Sequence, residues 1–451
     1  MSKTSREIVL DILLDIEKSD RFAAEALGEA LRANQFMNKK ERAYIGRLTE
    51  GVTEQKIRLD YILNQFSKVK VKKCKPVIRC ILRMAAYEIF YMDSVPDEAA
   101  CNEYVNLTAK RGFRTLKGYV NGVLRSVCRN KTAIIFPKKE DGLEAYLSVK
   151  YSIPEELVKF LLNDYSAEQL EQILQAGETN RGTTVRVNTM QTTPEEFRNN
   201  LIEKGIKVEK GYYNPTSLII SGYDYIRMVP GFHEGRFTVQ DESSSLQVLA
   251  AGIRPGNVIL DVCAAPGGKT MYAAECTGEQ GHVYARDISE EKIDKLEENL
   301  GRLEIHNVTT KVWNAMDTDP GMIEKADVVL ADLPCSGLGV MARKNDIKYH
   351  VTADTISELA EIQKNILDVC ASYVKPGGML IFSTCTIDRT ENEENVEIFL
   401  KRHEEYYLES LAPYLPEKLK ERGEKGYITL LQGIDHCDGF FISRLRRKNN
   451  R

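Results

Sequence analysis

Two cysteines follow two apolar segments of the sequence. Cys335 comes three residues after "DVVLAD" (327–332), and Cys385 directly follows "MLIFST" (379–384). A cysteine thiolate is a strong nucleophile that forms covalent intermediates, although a free thiol with a pKa of about 8.5 is mostly protonated at neutral pH. The two residues are therefore either a pair of catalytic thiols or two buried cysteines that behave as small apolar side chains.

The other eight cysteines are predicted to be free structural thiols. No two of them are spaced as C-x-x-C, so neither a zinc ribbon nor a thioredoxin-type motif is indicated. A buried free cysteine usually packs as a small hydrophobic residue. The eight are Cys74, Cys80, Cys101, Cys128, Cys263, Cys276, Cys370 and Cys437.

A glycine-rich turn, "DVCAAPGGKT" (261–270), follows a third apolar segment. Gly267 and Gly268 lack a Cβ and let a ligand approach the backbone closely. A phosphate-binding loop would require glycine at position 263, which is cysteine, and the dinucleotide pattern G-x-G-x-x-G is absent. The turn therefore predicts a ligand loop of another type, and a nicotinamide-dependent enzyme is disfavoured.

An acidic residue ends the next predicted strand. Asp261 begins the glycine turn, and Asp287 closes "HVYARD" (282–287), 26 residues later. A carboxylate at this position accepts hydrogen bonds from both ribose hydroxyls of an adenosine-containing ligand. The alternative is that Asp287 only caps the helix that begins near Ser289.

From about residue 240 onward, apolar strands alternate with helical patterns. This alternation predicts a parallel sheet covered by helices on both faces, in which ligands bind at the carboxyl ends of the strands. Asp261, Asp287, Asp332, Cys335 and Cys385 are all expected at that edge. The predicted strands are 258–264, 282–287, 327–332 and 379–385, and the predicted helices are 289–303 and 356–374.

Three domains are predicted along the 451 residues. Residues 1–140 read as helices, and a linker with proline, glycine and charge follows at 134–144. Residues 145–235 read as a small α+β domain with strands at 183–189 and 217–221 and a helix at 193–205. The alternating region, 236–451, is the third domain.

Charge is distributed unevenly between these domains. Residues 1–140 hold 27 Lys and Arg against 17 Asp and Glu, whereas the remainder holds 35 against 49. A basic domain joined to an acidic one indicates a polyanionic partner for the first, although such charge runs are often only solvated surface. No apolar run of about 18 residues is present, and the first residues lack a signal-peptide pattern, so a cytoplasmic protein is expected.

Several motifs together resemble the RNA cytosine-C5 methyltransferases of the NOL/NOP/Sun superfamily, which use S-adenosylmethionine. Within that superfamily, the chain resembles the bacterial 16S rRNA enzymes of the Fmu/Sun (RsmB) family over nearly its whole length. The catalytic motifs are "DVCAAPGGKT", "ARD", "ADLPCSGLG", "FSTCTIDRTENEENV" and "DGFFISRL". The NusB-like and middle-domain motifs are "VPDEAACNEYVNLT", "LKGYVNGVLRSV", "VRVNT" and "FTVQDESSSLQVLA".

The resemblance implies a fold, an activity and a partner. The fold would be an all-α NusB-like domain, a small α+β domain of ferredoxin or RRM type, and a Rossmann-like class I methyltransferase domain. The activity would be methyl transfer from S-adenosylmethionine to carbon 5 of one cytosine in 16S rRNA. In the family that the chain resembles, that cytosine is at position 967. The rRNA would be free or in an early 30S assembly intermediate, and the enzyme a monomer without a metal or a membrane contact.

The same resemblance implies four catalytic residues. Cys385 would add to carbon 6 of the base, which makes carbon 5 nucleophilic. Cys335 would aid release of the enzyme once the carbon-5 proton leaves. Asp332 would hydrogen-bond nitrogen 3 and support its protonation. Lys269 would orient the substrate and favour a thiolate, or would be merely a surface lysine at a helix start.

A set of residues around the glycine turn is implied to bind the cofactor. The family usually has aspartate where this chain has Asn314, and Asp317 nearby is an alternative contact for the adenine. Asn345 and Gln432 stand where proline is common and are interpreted as loop variation. The implied cofactor residues are Cys263, Ala264, Ala265, Pro266, Gly267, Gly268, Lys269, Asp287, Asn314 and Asp332.

Two alternatives remain open from the sequence. One is the same chemistry on tRNA or 23S rRNA, and the other is a non-catalytic NusB-like RNA-binding or antitermination factor with a relic methyltransferase domain. Intact Asp332, Cys335 and Cys385 disfavour the second. Arg186 and Asn188, in the middle domain, are expected to contribute to RNA binding.

Overall fold

The structure, a computed structural model, describes residues 3–19, 21–92, 95–178 and 182–449. The chain divides into two units. The first comprises the described residues up to Leu174 together with Arg343–Val351, and the second comprises Gln175–Ala342 and the described residues from Thr352 onward.

The first unit is built from helices. In α7 the buried residues Val120, Val123, Leu124 and Val127 recur at helical spacing, so one face packs into an apolar core while the other stays polar. The helices are α1 (Ser5–Ser19), α2 (Ala23–Ala33), α3 (Lys39–Glu54), α4 (Lys56–Phe66), α5 (Pro76–Tyr91), α6 (Asp97–Lys110), α7 (Lys117–Arg129), α8 (Leu143–Tyr151), α9 (Glu155–Leu161) and α10 (Ala167–Gln175).

The segment Arg343–Val351 folds as part of this helical unit. The Tyr349 hydroxyl lies 2.8 Å from the carbonyl oxygens of Glu54 and Ser152, and Lys348 Nζ donates to the carbonyl oxygen of Tyr151 at 3.0 Å. The helices α8 to α10 also belong to this unit rather than to the second. The domain limits near residues 140 and 235 stay a prediction.

The second unit begins with a four-stranded antiparallel sheet in the order β2-β3-β1-β4. Its core contains Val185, Phe197, Ile220 and Phe237. The helix begins after Thr193, whose hydroxyl accepts a hydrogen bond from the Glu196 amide. The elements are β1 (Thr183–Val187), α11 (Pro194–Glu203), β2 (Lys207–Lys210), β3 (Ser217–Ser221) and β4 (Phe237–Val239).

The larger sheet of this unit has the order β10-β12-β9-β8-β5-β6-β7, with β11 paired to β12. Neighbouring strands from β9 to β7 are parallel, which confirms the predicted doubly wound sheet. The elements are α12 (Glu242–Ala251), β5 (Val258–Asp261), α13 (Gly268–Thr277), β6 (His282–Asp287), α14 (Glu290–Leu303), β7 (Val308–Val312), β8 (Ala326–Asp332), α15 (Ala353–Tyr373), β9 (Val374–Thr384), α16 (Glu393–Arg402), β10 (Tyr406–Leu408), α17 (Lys420–Gly423), β11 (Tyr427–Leu430) and β12 (Phe440–Arg447).

Two predicted strand limits differ from the structure. The strand predicted over 258–264 ends at Asp261, because the Ala264 amide turns to donate to the Arg286 carbonyl oxygen instead of continuing the ladder. The strand predicted to include Cys385 ends one residue earlier, at Thr384. Cys385 therefore stands on the first loop residue at the carboxyl edge of the sheet.

Candidate active site

The two predicted catalytic cysteines lie against each other. Since β8 and β9 are adjacent parallel strands, the loops that follow them meet at one edge, and Cys335 Sγ lies 3.2 Å from Cys385 Sγ. The carbonyl oxygen of Cys385 accepts a hydrogen bond of 3.0 Å from the Gly339 amide, which joins the two loops a second time. The structure thus brings the two predicted thiols together, and their catalytic roles stay a prediction.

The thiol pair has a preferred protonation pattern. The contact with Cys385, followed by burial and by the negative charges of Glu391 and Asp332, raises the pKa of the Cys335 thiol well above its usual range. Either sulfur can donate its proton across this contact, and the raised pKa favours Cys335 as the protonated partner. A hydrogen bond to a thiolate favours the charged form of that thiolate.

Lys269 and Asp332 form an ion pair beside the thiols. Lys269 Nζ lies 2.6 Å from Asp332 Oδ2, and the Ser383 hydroxyl donates to Asp332 Oδ1 at 2.9 Å. Burial lowers the pKa of Lys269, but Asp332, Cys385 and Asp261 outweigh that effect, so the pKa is raised overall. Lys269 is therefore a fixed cation of the site rather than a surface lysine.

A buried carboxylate, which the sequence interpretation did not identify, connects the two cysteine loops. Glu391 accepts hydrogen bonds from the Ser336 amide at 2.9 Å, from the Ser336 hydroxyl, and from Gln363 Nε2 at 3.0 Å. The Ser336 hydroxyl in turn lies 2.7 Å from the Thr386 hydroxyl. Glu391 thus holds the residues that follow Cys335 and Cys385. The sequence feature that could have indicated Glu391 is the polar run "TENEEN" (390–395) after a predicted strand.

Replacing Glu391 with alanine is expected to lower the free energy of unfolding by about 2–4 kcal/mol, because the buried Ser336 and Gln363 donors lose their acceptor. Thermal unfolding measures this effect. Glu391→Gln keeps one acceptor oxygen and is expected to lose less. Glu394→Ala removes an exposed carboxylate three residues later, in the first turn of α16, and serves as the matched control. Equal melting temperatures for Glu391→Ala and Glu394→Ala would contradict the assigned role.

A cavity of about 410 Å³ opens beside the ion pair. Two buried polar atoms in its lining, Gln240 Nε2 and Asp261 Oδ1, have no hydrogen-bond partner among the described residues. Burial raises the pKa of Asp261 to about 7. A buried donor and a buried acceptor without partners fit a polar ligand in this cavity. The predicted cofactor residues that line it are Cys263, Ala264, Ala265, Pro266, Gly268, Lys269 and Asp332.

The glycine turn is held from two sides. Ala265 donates its amide hydrogen to Asp287 Oδ2 at 2.9 Å, and Gly267 adopts a φ of +108°. A Cβ on Gly267 would lie 2.4 Å from Leu296 Cδ1. Only glycine fits both the backbone angle and the space at this position.

Gly267→Ala is expected to destabilise the fold by about 2–4 kcal/mol, because alanine at this φ is strained and its methyl group displaces Leu296. Chemical denaturation measures the change. Gly301→Ala, at a site with nothing within 4 Å of the added Cβ, is the control and is expected to be neutral or stabilising by up to about 1 kcal/mol. An unchanged denaturation midpoint in Gly267→Ala would contradict this prediction and show that the turn can accommodate a Cβ at this position.

Asp287 acts on the glycine turn rather than as a helix cap. Its Oδ1 accepts from Lys292 Nζ at 2.9 Å and from the Ile288 amide at 2.8 Å, while Oδ2 holds Ala265. Ser289, not Asp287, occupies the N-cap position of α14. The capping alternative is therefore wrong, and the ribose contact stays a prediction.

Asn314 lies on the loop after β7 and is half-buried. Its side-chain oxygen accepts from the Met316 amide at 3.1 Å, whereas Asp317 is exposed. Neither residue lines the cavity around the glycine turn, so the adenine contact stays a prediction. The neighbouring Trp313 is the only tryptophan of the sequence, and its fluorescence is a local reporter for this loop.

The expected RNA contacts of Arg186 and Asn188 are wrong, because both side chains are only 1% exposed. Arg186 forms an ion pair with Glu275 at 2.7 Å and donates to Gln240 Oε1 at 2.7 Å. Asn188 Nδ2 donates to the Gly235 carbonyl oxygen at 3.0 Å. The β-rich pattern around them did not reveal that these polar residues face inward.

Within residues 3–19, 21–92, 95–178 and 182–449, no cluster of three or more His, Cys, Asp or Glu side chains is placed to hold a metal ion. Nor does that part of the chain contain a helix with the length and apolar character needed to span a bilayer.

Three family models match the chain. The NusB family matches residues 3–129, a ferredoxin-like domain of RsmF/B-like methyltransferases matches 153–224, and the 16S rRNA methyltransferase RsmB/F model matches 248–446. These matches confirm the predicted order of a NusB-like domain, a ferredoxin-like domain and a Rossmann-like methyltransferase domain.

Curated relatives align over nearly the whole chain. A probable ribosomal RNA small subunit methyltransferase B of Bacillus subtilis is 35% identical, with 99% of this chain and 100% of the relative covered. The protein called ribosomal RNA small subunit methyltransferase B in Vibrio cholerae is 31% identical, with 92% of each chain covered.

Solved structures share the fold. The crystal structure of PH0851 aligns with a TM-score of 0.81 at 25% identity, covering 99% of this chain and 100% of that one. The structure of NSun6 from Pyrococcus horikoshii with SFG aligns with a TM-score of 0.59 at 22% identity, covering 66% of this chain and 99% of that one.

The parallel sheet, the glycine turn at its carboxyl edge and the domain matches define a methyltransferase. The chain belongs to the RsmB/F family of 16S rRNA methyltransferases.

Proposed function

We propose that this protein transfers the methyl group of S-adenosylmethionine to carbon 5 of a cytosine in 16S rRNA through a covalent adduct of Cys385 with carbon 6 of the base. The single observation that carries the proposal is the 3.2 Å contact of Cys335 and Cys385 at the sheet edge that also holds Lys269 and Asp332. Two thiols beside a fixed ion pair fit nucleophilic addition followed by assisted elimination.

S-adenosylmethionine, when bound, supplies an electrophilic methyl group. Residues 263–266 and Gly268 of the glycine turn would hold it, because they line the cavity with the unpartnered Gln240 Nε2 and Asp261 Oδ1. Asp287 holds the glycine turn in place by accepting a hydrogen bond from the Ala265 amide. Asn314 remains the proposed neighbour of the adenine.

The first chemical step is addition to the ring. The Cys385 thiolate, stabilised by the Cys335 S–H, forms a bond to carbon 6, and the electron pair of the carbon 5–carbon 6 double bond moves into the ring toward nitrogen 3. Nitrogen 3 takes a proton from solvent, and Asp332 hydrogen-bonds the protonated nitrogen while Lys269 keeps its charge. Carbon 5 is then an enamine carbon, and its electron pair would form the bond to the methyl group as the methyl–sulfur bond of the cofactor breaks, with S-adenosylhomocysteine as the leaving group.

The second step is release. Once the Cys385 sulfur is bonded to carbon, Cys335 no longer faces a second ionisable thiol, and it gives its proton to solvent before the elimination. The Cys335 thiolate then takes the carbon-5 proton as the bond between sulfur and carbon 6 breaks. Nitrogen 3 returns its proton to solvent, and the overall reaction releases one proton.

The substrate must present an unstacked cytosine, since the site lies at a sheet edge that a base reaches only from a loop or after flipping. The excess of Lys and Arg in residues 1–140 supports a role for the helical domain in holding the RNA backbone. Free 16S rRNA and an early 30S assembly intermediate are the two proposed forms of the substrate.

The test is methyl transfer from labelled S-adenosylmethionine to unmodified 16S rRNA, 23S rRNA and tRNA, followed by mapping of the labelled nucleotide. Label on carbon 5 of one cytosine of 16S rRNA, position 967 or another, is the expected result. Label on tRNA or 23S rRNA alone would keep the chemistry and overturn the substrate. Cofactor binding without label on any RNA would overturn the enzymatic proposal.

A further inference from the structure

Two aromatic rings stack on each other at the surface of the second unit. The ring centres of Tyr212 and His436 lie 3.9 Å apart with an interplanar angle of 3°. Tyr212 is 44% exposed, and His436 is also exposed. Lys418 Nζ lies 5.9 Å from the Tyr212 ring centre. The pair of Tyr212 and His436 is called the aromatic platform below.

The backbone below the aromatic platform is rigidly held. The Glu242 carboxylate, itself 1% exposed, accepts hydrogen bonds of 2.8 Å from the amides of Tyr212, Tyr213 and Asn214. The His436 amide donates to the Tyr213 hydroxyl at 3.3 Å. Because the two rings are already fixed in a nearly parallel arrangement, a planar ligand loses little of its binding energy to ordering them.

The chain runs from the aromatic platform directly to the catalytic edge. Asp438, two residues after His436, donates its amide hydrogen at 3.0 Å to Asp241, which lines the cofactor cavity. Gly439 donates at 2.8 Å to the Gly339 carbonyl oxygen, and the Gly339 amide is bonded to Cys385. Three residues of extended chain span at most about 11 Å. His436 therefore lies within about 11 Å of Gly439, which is one hydrogen bond from the loop that contacts Cys385, so the aromatic platform adjoins the catalytic edge.

We propose that Tyr212 and His436 form a stacking site for a nucleobase that flanks the target cytosine. The inference rests on the proposed RNA substrate. Exposed aromatic faces bind single-stranded bases whatever their identity, since every base has a π-face, and a nearby lysine attracts the adjoining phosphate. The competing explanation is a purely structural role, in which the two rings only fasten the 431–438 loop to the turn at Tyr212 and bind no RNA.

The test compares steady-state kinetics of Tyr212→Ala with wild type, using the RNA that wild type methylates. The KM for RNA is expected to rise about 5- to 100-fold, the range that loss of one stacked base produces, while kcat and the KM for S-adenosylmethionine stay within about twofold. Tyr212→Phe keeps the ring and is expected to restore the wild-type KM. Tyr407→Ala removes a similarly exposed tyrosine, 42% exposed, on the far edge strand β10 and is the matched control.

A direct readout uses a short RNA with 2-aminopurine beside the mapped cytosine. Stacking on the aromatic platform is expected to quench its fluorescence with wild type, and His436→Ala is expected to weaken the quench even where Tyr212→Ala fails to fold. An unchanged KM for RNA and an unchanged quench in both variants, with wild type active, would overturn the stacking site alone. If wild type methylates no RNA, the proposed function fails first, and the stacking site falls with it.

Discussion

Cys385→Ala is expected to abolish methyl transfer, with a loss of at least about 10³-fold in kcat, because it removes the proposed nucleophile, and Cys335, the thiol 3.2 Å away, is assigned to proton removal. The measurement is transfer of labelled methyl to the RNA that wild type modifies. Cofactor binding, followed through the fluorescence of Trp313, is expected to remain within about twofold of wild type, since the Cys385 side chain is not part of the cavity lining.

The control for Cys385→Ala is Cys276→Ala, which removes a half-buried thiol from α13. This variant is expected to keep full activity. Retained activity in Cys385→Ala, at more than about a tenth of the wild-type rate, would show that methyl transfer proceeds without this nucleophile. The covalent proposal would then fail while the family assignment would stand.

Local patterns in the sequence predicted the elements that place the site. The strands over 217–221 and 282–287 were predicted with the limits that the structure has, because short apolar runs bounded by turn residues define a buried strand. The parallel pairing of β8 and β9 then brings Cys335 and Cys385 together, since both follow carboxyl ends. Residue type and strand position together were enough for this part of the site.

Contacts between residues that are far apart in the sequence could not be predicted from local patterns. Glu391 meets Ser336 across 55 positions, and no local period of the sequence encodes that pairing. Arg186 was expected to contribute to RNA binding, yet it is buried and paired with Glu275 and Gln240, and charged residues are rarely buried without such partners. The segment Arg343–Val351 follows the Cys335 loop in sequence but folds with the helical unit, which only long-range packing determines.

Cys335→Ala is expected to trap the enzyme on its RNA. Addition of Cys385 and formation of the new carbon–carbon bond need no proton acceptor at carbon 5, whereas expulsion of the Cys385 sulfur requires that the carbon-5 proton be removed first. Without the Cys335 thiolate that proton stays, and the adduct accumulates. We expect a protein–RNA species that survives denaturing gel electrophoresis. At most about one methyl group is transferred per enzyme.

The Cys335→Ala substitution is also expected to lower the reactivity of Cys385. The two sulfurs lie 3.2 Å apart, and in the proposed mechanism the Cys335 S–H stabilises the Cys385 thiolate, so Cys335→Ala removes that group. Alkylation of Cys385 by iodoacetamide at neutral pH is therefore expected to be slower in Cys335→Ala than in wild type. The double variant Cys335→Ala, Cys385→Ala is expected to form no adduct. Normal turnover of Cys335→Ala would assign the carbon-5 proton to another base and leave Cys335 with the donor role only.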